Sequence, residues 1–121
     1  MKPVLLFLIL IFSFHLVNAQ VSHLPAGKYE TSVKEKNSKW EKGDIIIIDQ
    51  SHYKISISNE TGEYKFSATA QRIFFTSGPL KSLFAKTVQT NNLPAIIIPL
   101  SENEQLGFKT ASADVWGYYR N

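Results

Sequence analysis

Residues 53–80 read YKISISNETGEYKFSATAQRIFFTSGPL, and three runs within this stretch alternate apolar and polar side chains. The apolar positions of the three runs are Tyr53, Ile55 and Ile57, then Tyr64, Phe66 and Ala68, and finally Ile73 and Phe75. Because successive side chains of a strand point to opposite faces, each run predicts a strand with one apolar face. The stretch therefore predicts a three-stranded antiparallel meander, whose apolar face must be covered by further strands.

Short polar segments join these runs and predict the turns. Residues 58–63 form a hairpin loop in this interpretation, and we expect Gly62 to adopt a positive φ there. After the third run, Gly78 and Pro79 end the strand, because proline has no N–H to donate to a neighbouring strand. We expect Gly78 to have a positive φ, a conformation that glycine adopts without steric cost.

Further strands are predicted on both sides of this meander. The isoleucine run at 45–48 predicts a strand that is buried on both faces. The other predicted strands lie at 28–33, 83–90, 95–98, 106–108 and 115–120. Residues 101–105 are predicted to be a polar loop, and no helix is predicted beyond residue 19. We therefore predict an all-β fold, a small antiparallel meander barrel or half-barrel of about 7–8 strands.

The first 19 residues have the pattern of a signal peptide. Lys2 precedes an apolar run at 4–17, which is too short to span a bilayer comfortably, and Ala19 fits a cleavage site. We therefore expect residues 1–19 to be removed and residues 20–121 to form one secreted or periplasmic domain. The chain contains no cysteine, so we expect neither disulfides nor lipidation at this site. A composition rich in Ile, Asn and Lys favours a bacterial source.

Little in the sequence points to catalysis or to a metal. His23 and His52 have no second histidine or cysteine at ligand spacing, and Ser77 is not in a Gly-x-Ser-x-Gly motif. Asp44 and Asp49 flank one predicted strand and would lie about 17 Å apart, too far for a shared proton. The net charge of +3 is small and dispersed, which argues against nucleic-acid binding. We therefore predict no enzyme activity, no metal and no cofactor.

Aromatic residues with polar tips are the best candidates for ligand contacts. We select Tyr53, Tyr64, Trp40 and Trp116, which could line a pocket or pack in the core or at a barrel rim. We expect an exported, non-catalytic binding module whose partner is a small amphipathic molecule or an extracellular protein, with no membrane contact in the mature form. The alternatives are an inhibitor of an exported hydrolase, which would use the loop at 34–43, and an enzyme of unidentified activity.

Several motifs occur together along almost the whole of residues 20–121. They are Gly27-x-Tyr29, Gly62-x-Tyr64, the turn Ser77-Gly78-Pro79-Leu80 after an aromatic strand, and the ending Ala113–Arg120. The combination resembles a group of small exported β-domains that has no established activity. The resemblance implies a β fold and export, and it implies structural roles for Gly27, Tyr29, Gly62, Gly78 and Pro79. Members often carry cysteine in the first and last strands, and this chain departs from that pattern.

A more distant resemblance links the two ends of the chain. An early Gly-x-aromatic and a late arginine are similar to the lipocalin-type barrel, in which the arginine of the last strand packs over the early aromatic ring. The resemblance implies that Arg120 packs over Tyr29 and plugs one end of the barrel. The lipocalin tryptophan is a tyrosine here. Arg120 would then be a stability residue. The alternative is that Arg120 is an exposed terminal arginine.

Overall fold

The computed structural model describes residues 21–34, 38–108 and 113–120, and their strands form one closed antiparallel barrel. The predicted signal segment at 1–19 lies outside the described residues. Each strand pairs with the next along the chain, and the last pairs with the first. The eight strands are β1 (Gly27–Val33), β2 (Ile45–Ile47), β3 (His52–Ile55), β4 (Thr61–Ser67), β5 (Arg72–Phe75), β6 (Phe84–Thr90), β7 (Leu93–Ile98) and β8 (Val115–Arg120). The predicted small all-β barrel is therefore confirmed.

Strands β1 and β8 close the barrel. Lys28 lies opposite Arg120, and Val33 lies opposite Val115, so the pairing runs along almost all of both strands. Closure leaves neither strand with an unpaired edge along that length, which removes a site of intermolecular strand pairing.

The central meander forms β3, β4 and β5, and most of the residues predicted to face the core do so. Tyr53, Ile73 and Phe75 are fully buried, while Phe66 is partly buried against the same core. Ile57 was expected on the apolar face, but its side chain is 69% exposed. The reason is that β3 ends at Ile55, whose carbonyl accepts a hydrogen bond from the N–H of Asn59 across a turn.

The two isoleucine runs differ from one another. In β2, Ile45 and Ile47 face the core, but Ile46 is only partly buried and Ile48, just beyond the strand, is 44% exposed. The prediction that this run is buried on both faces was therefore wrong, since β2 has the ordinary one-sided burial of an antiparallel strand. In β7, by contrast, all residues from Ala95 to Ile98 are buried.

A short helix, α1 (Leu100–Gln105), forms where a polar loop was predicted. The helix depends on tertiary hydrogen bonds, because the Leu100 N–H donates to the Asp114 carboxylate over 2.8 Å. The fully buried Asn103 amide accepts from the Phe84 N–H and donates to the Phe84 carbonyl. Leu106 and Gly107 form a turn and Phe108 has no regular secondary structure, so the brief strand predicted there was also wrong.

Two glycines meet where the β5 turn crosses the start of β4. Gly78 has a φ of +85°, as predicted, and a Cβ there would lie 2.6 Å from the Cα of Gly62. Gly62 was expected to adopt a positive φ, but it lies in β4 and is required for close approach to Ser77 and Tyr53 instead. The positive φ of that loop belongs to Asn59. Pro79 follows Gly78 within a turn that the Lys81 N–H closes on the Gly78 carbonyl.

Candidate functional site

Tyr53 is part of the core, and its hydroxyl forms hydrogen bonds with the loop that follows β5. The hydroxyl donates to the Ser77 carbonyl and accepts from the Leu80 N–H, both over 2.8 Å. Its ring lies edge-on to Phe75, with 4.9 Å between centroids. Burial raises the pKa of Tyr53, so the phenol stays protonated and able to donate. Its polar atom is thus fully used within the chain.

Tyr64 and Trp40 are buried in the same core. The Tyr64 hydroxyl donates to the Asp49 carbonyl over 2.7 Å, and burial, with a smaller effect of the Asp49 charge, raises its pKa to about 12. Trp40 is 2% exposed and anchors the loop that joins β1 to β2. Of the four aromatic residues selected from the sequence, Tyr53, Tyr64 and Trp40 therefore face inward, and only Trp116 reaches the outside.

Arg120 does not pack over Tyr29 as the lipocalin-type resemblance implied, although the two strands are neighbours. The alternative of an exposed arginine describes the structure, since the side chain is 58% exposed. Tyr29 lies opposite Tyr119, and their ring centroids are 5.1 Å apart. The Tyr29 hydroxyl donates to the Pro25 carbonyl, and burial raises its pKa. Arg120 is the residue after Tyr119 in β8, so its side chain points to the opposite, outer face of the strand. There its Nε lies 3.9 Å from a Glu30 carboxylate oxygen.

Trp116 and Tyr118 form a stacked pair on the outside of β8, which we call the outer aromatic pair. Their ring centroids are 5.9 Å apart with an interplanar angle of 25°, and the Lys34 ammonium lies 4.5 Å from the centroid of the Trp116 ring. The sequence correctly predicted that Trp116, Tyr118 and Arg120 share one face of the strand. That face is the outer one, because the alternate residues Val115 and Gly117 are buried.

The neighbouring strand β7 gives the outer aromatic pair an apolar border. Ile97 lies opposite Trp116 and Ala95 lies opposite Tyr118, so both point outward with the pair. Both are nevertheless buried, Ala95 completely. Leu93 follows on the same side of β7 and is 43% exposed. The outer surface of β7 and β8, which we call the outer face, is therefore apolar along β7 and aromatic along β8. The charged residues Glu30, Lys34 and Arg120 lie along its β1 side.

A cleft of about 270 Å³ opens at one end of the outer face, and we call it the hairpin cleft. Its lining residues are Thr90, Asn91, Leu93, Tyr118, Tyr119 and Arg120. Thr90 pairs with Leu93 across the β6–β7 hairpin, so Asn91 and Asn92 form a two-residue loop in which both have positive φ. Such loops match the twist of the paired strands, which makes this wall of the cleft a fixed feature of the barrel.

One serine–histidine–aspartate cluster resembles a catalytic triad but lacks its geometry. In the turn between β2 and β3, Nδ1 of His52 lies 2.8 Å from the Asp49 carboxylate and 3.1 Å from the Ser51 hydroxyl. A triad needs its serine and carboxylate on opposite ring nitrogens, whereas both use Nδ1 here. The Ser51 N–H and then the His52 side chain lower the pKa of Asp49. The cluster is a hydrogen-bonded turn.

Asp44 is a buried carboxylate with a structural role. Its Oδ1 accepts from the Thr31 N–H over 2.9 Å, and Oδ2 lies 3.5 Å from the Lys28 ammonium. Because β2 pairs only with Gly27–Tyr29 of β1, the carboxylate replaces a strand partner for Thr31. In the described part of the chain, no group of three or more His, Cys, Asp or Glu residues could hold a metal ion.

The cleft residues Thr90, Asn91 and Leu93 were not selected as site residues from the sequence. The signal that could have found them is the Asn91-Asn92 turn, which predicts where the β6–β7 hairpin ends. What the sequence could not supply is the position of that turn beside the end of β8. Within residues 21–34, 38–108 and 113–120, no helix is long and apolar enough to cross a membrane.

Comparison of the chain with protein-family models, curated proteins and solved structures gives no match.

Proposed function

We propose that the chain is an exported, non-catalytic binding module that binds its partner on the outer face and not inside the barrel. The observation that carries this proposal is the contrast in exposure among the aromatic candidates. Trp116 stands on the outer face, stacked on Tyr118 beside the hairpin cleft. Tyr53 and Tyr64 are buried, and their hydroxyls are bonded to the loops of the chain itself.

The outer face suits an amphipathic partner. The outer aromatic pair and the exposed Leu93 offer apolar contact, and Lys34 and Arg120 place positive charge at the border. Apolar surface with a few polar groups at its edge is the usual composition of a ligand site. An extracellular protein would use the same surface, with Trp116 and Tyr118 as anchors, because tryptophan and tyrosine dominate the binding energy of many protein interfaces.

The inhibitor alternative has less support. It would use the loop at 34–43, but Trp40 of that loop is buried in the core. Near its start, the loop is held to the barrel by a 2.7 Å hydrogen bond from the Val33 N–H to the Ser38 carbonyl.

Export is supported by the signal-peptide pattern of residues 1–19. Expression of the full chain in a bacterial host, followed by intact-mass analysis of the exported fraction, should give a protein that begins at Gln20. A full-length chain retained with the cell membrane would contradict export.

Binding on the outer face can be tested with N-phenyl-1-naphthylamine, a neutral amphipathic fluorophore. We expect it to bind the wild-type protein, and Tyr118→Ala to weaken binding by about fivefold, which corresponds to about 1 kcal/mol of aromatic contact. Phe74→Ala is the matched control, because Phe74 is an outward-facing aromatic residue on β5 that is 46% exposed. Absence of binding, or equal loss in both variants, would contradict the proposal.

A further inference from the structure

One cationic side chain, Arg120, lines the hairpin cleft, and its charge is only weakly paired within the described part of the chain. The Arg120 side chain is 58% exposed, and its ionic partner in the described part of the chain is Glu30, 3.9 Å from Nε. That separation is near the limit for an ion pair and too long for a hydrogen bond. A guanidinium has five N–H donors and binds carboxylates in a two-pronged geometry. Arg120 is therefore available to an anionic group in the cleft.

Other walls of the cleft supply polar and apolar contacts. The Tyr118 phenol and the Asn91 amide line the cleft, and neither takes part in a side-chain hydrogen bond among the described residues. Leu93 and the Tyr118 ring provide the apolar side. Tyr119 is held in place by the hydrogen bond from its hydroxyl to the Ala26 carbonyl, which fixes one wall.

We propose that the hairpin cleft binds small carboxylates that carry an apolar body. Arg120 binds the carboxylate, while Leu93 and Tyr118 contact the apolar body. The inference rests on the proposed function and names the ligand class of the same surface. A volume of about 270 Å³ is slightly below the usual range of ligand pockets, which begins at about 300 Å³, so the ligand is small. Two sources fit: a free short-chain acid, or the C-terminal residue of a peptide.

Glu30 gives the proposal a second, opposite test. It lies on β1 opposite Tyr118, and its carboxylate occupies the side of Arg120 that faces away from the hairpin. A bound carboxylate is repelled by Glu30 and competes with it for the guanidinium. Removal of the Glu30 charge should therefore tighten acid binding, whereas removal of the Arg120 charge should weaken it.

The experiment is a titration followed by the backbone amide signals of Leu93 and Tyr118 in ¹H–¹⁵N spectra at pH 7. Hexanoate is compared with hexanamide, and N-acetylleucine with N-acetylleucinamide, so each pair differs only in the ionised carboxylate. We expect each acid to bind about threefold to tenfold more tightly than its amide. If only hexanoate binds, the source is a free acid, whereas tighter binding of N-acetylleucine indicates a peptide end.

Variants assign the preference to Arg120. Arg120→Gln should weaken the acids by about threefold to tenfold and leave the amides unchanged, and Glu30→Gln should tighten the acids by about twofold. Arg72→Gln is the matched control, because it removes the same charge from an exposed arginine on β5. Equal weakening by Arg72→Gln would indicate only a general charge effect and would overturn the proposal.

The outcome separates this inference from the proposed function. Acids and amides that bind equally, with no effect of Arg120→Gln, would overturn the carboxylate inference and leave the binding surface intact. Binding of neither acid nor amide would also overturn the inference. The proposed function is judged separately by the neutral fluorophore, whose binding does not depend on a charge. Thermal melts of every variant establish that it is folded.

Discussion

The buried tyrosines Tyr29, Tyr53 and Tyr64 differ in role from the outer aromatic pair, although the side chains are similar. Tyr29, Tyr53 and Tyr64 are at most 2% exposed, and each hydroxyl donates to a backbone carbonyl of a loop or of the segment before β1. Trp116 and Tyr118 are stacked on the outside of β8, where a lysine and a cleft are their neighbours. The difference comes from which face of the strand carries the side chain. A tyrosine that faces inward holds a neighbouring segment by a hydrogen bond, and an aromatic residue that faces outward is accessible for binding.

The largest expected effect contrasts one residue from each set. Tyr53→Ala should destabilise the protein by about 3–5 kcal/mol, because it removes a fully buried ring and leaves a cavity beside Phe75. Tyr118→Ala should cost under about 1 kcal/mol, since the ring is on the surface. Urea unfolding measures both. Equal costs would remove the distinction between inner and outer aromatic residues.

The turn that the Tyr53 hydroxyl ties down should be the next most sensitive. Gly78→Ala should cost about 2–4 kcal/mol, because it adds steric overlap with Gly62 to the strain of a positive φ. Gly107→Ala is the control, since Gly107 has a φ of +94° but no atom within 4 Å of the position that a Cβ would take. It should cost about 1 kcal/mol. If the two variants were equally stable, close approach would not be the reason for Gly78.

Removal of the hydroxyl alone isolates the contribution of its hydrogen bonds. Tyr53→Phe should cost about 1–3 kcal/mol, because the Ser77 carbonyl and the Leu80 N–H both lose their partner. Tyr118→Phe should cost under about 0.5 kcal/mol, because the Tyr118 phenol takes part in no side-chain hydrogen bond among the described residues. Chemical denaturation of the two variants in parallel provides the measurement. A Tyr53→Phe protein as stable as the wild type would mean that the loop does not depend on this hydroxyl.

The smallest expected effect is one of pH. The pKa of Tyr64 rises from 10.0 to about 12 in the folded protein, so the folded state holds its proton more tightly than the unfolded state. The resulting stability is fully present below pH 10 and is lost as the pH rises toward 12. Urea melts between pH 8 and pH 11 should therefore decline more steeply for the wild type than for Tyr64→Phe. Parallel declines would contradict the raised pKa.

Much of the barrel could be predicted because the alternation of apolar and polar residues in an antiparallel strand indicates which face is buried. The alternation around Tyr53, Tyr64 and Ile73 placed the inward residues correctly, and the same alternation placed Trp116, Tyr118 and Arg120 together. Alternation did not predict where β3 ends, and Ile57 was misassigned for this reason. Ile48 was misassigned because an unbroken isoleucine run shows no alternation, although β2 is buried on one face only.

Features that depend on contacts between distant segments could not be predicted. Helix α1 has no apolar periodicity and is held by the amide of Asn103 on Phe84 and by Asp114. The resemblance placed Arg120 over Tyr29, but in β8 it is Tyr119 that faces Tyr29, and Arg120 points outward. The hairpin cleft likewise depends on the pairing of β7 with β8, which brings the β6–β7 turn beside the end of β8.

The most direct test of the central claim is a map of ¹H–¹⁵N chemical-shift changes on addition of N-phenyl-1-naphthylamine to the wild-type protein. We expect the largest changes at the outer face and the hairpin cleft, at Leu93, Tyr118 and Arg120. The amides of Tyr53 and Tyr64 should scarcely change. Large changes at Tyr53 and Tyr64, with little change at Leu93, Tyr118 and Arg120, would place the ligand inside the barrel and contradict binding on the outer face.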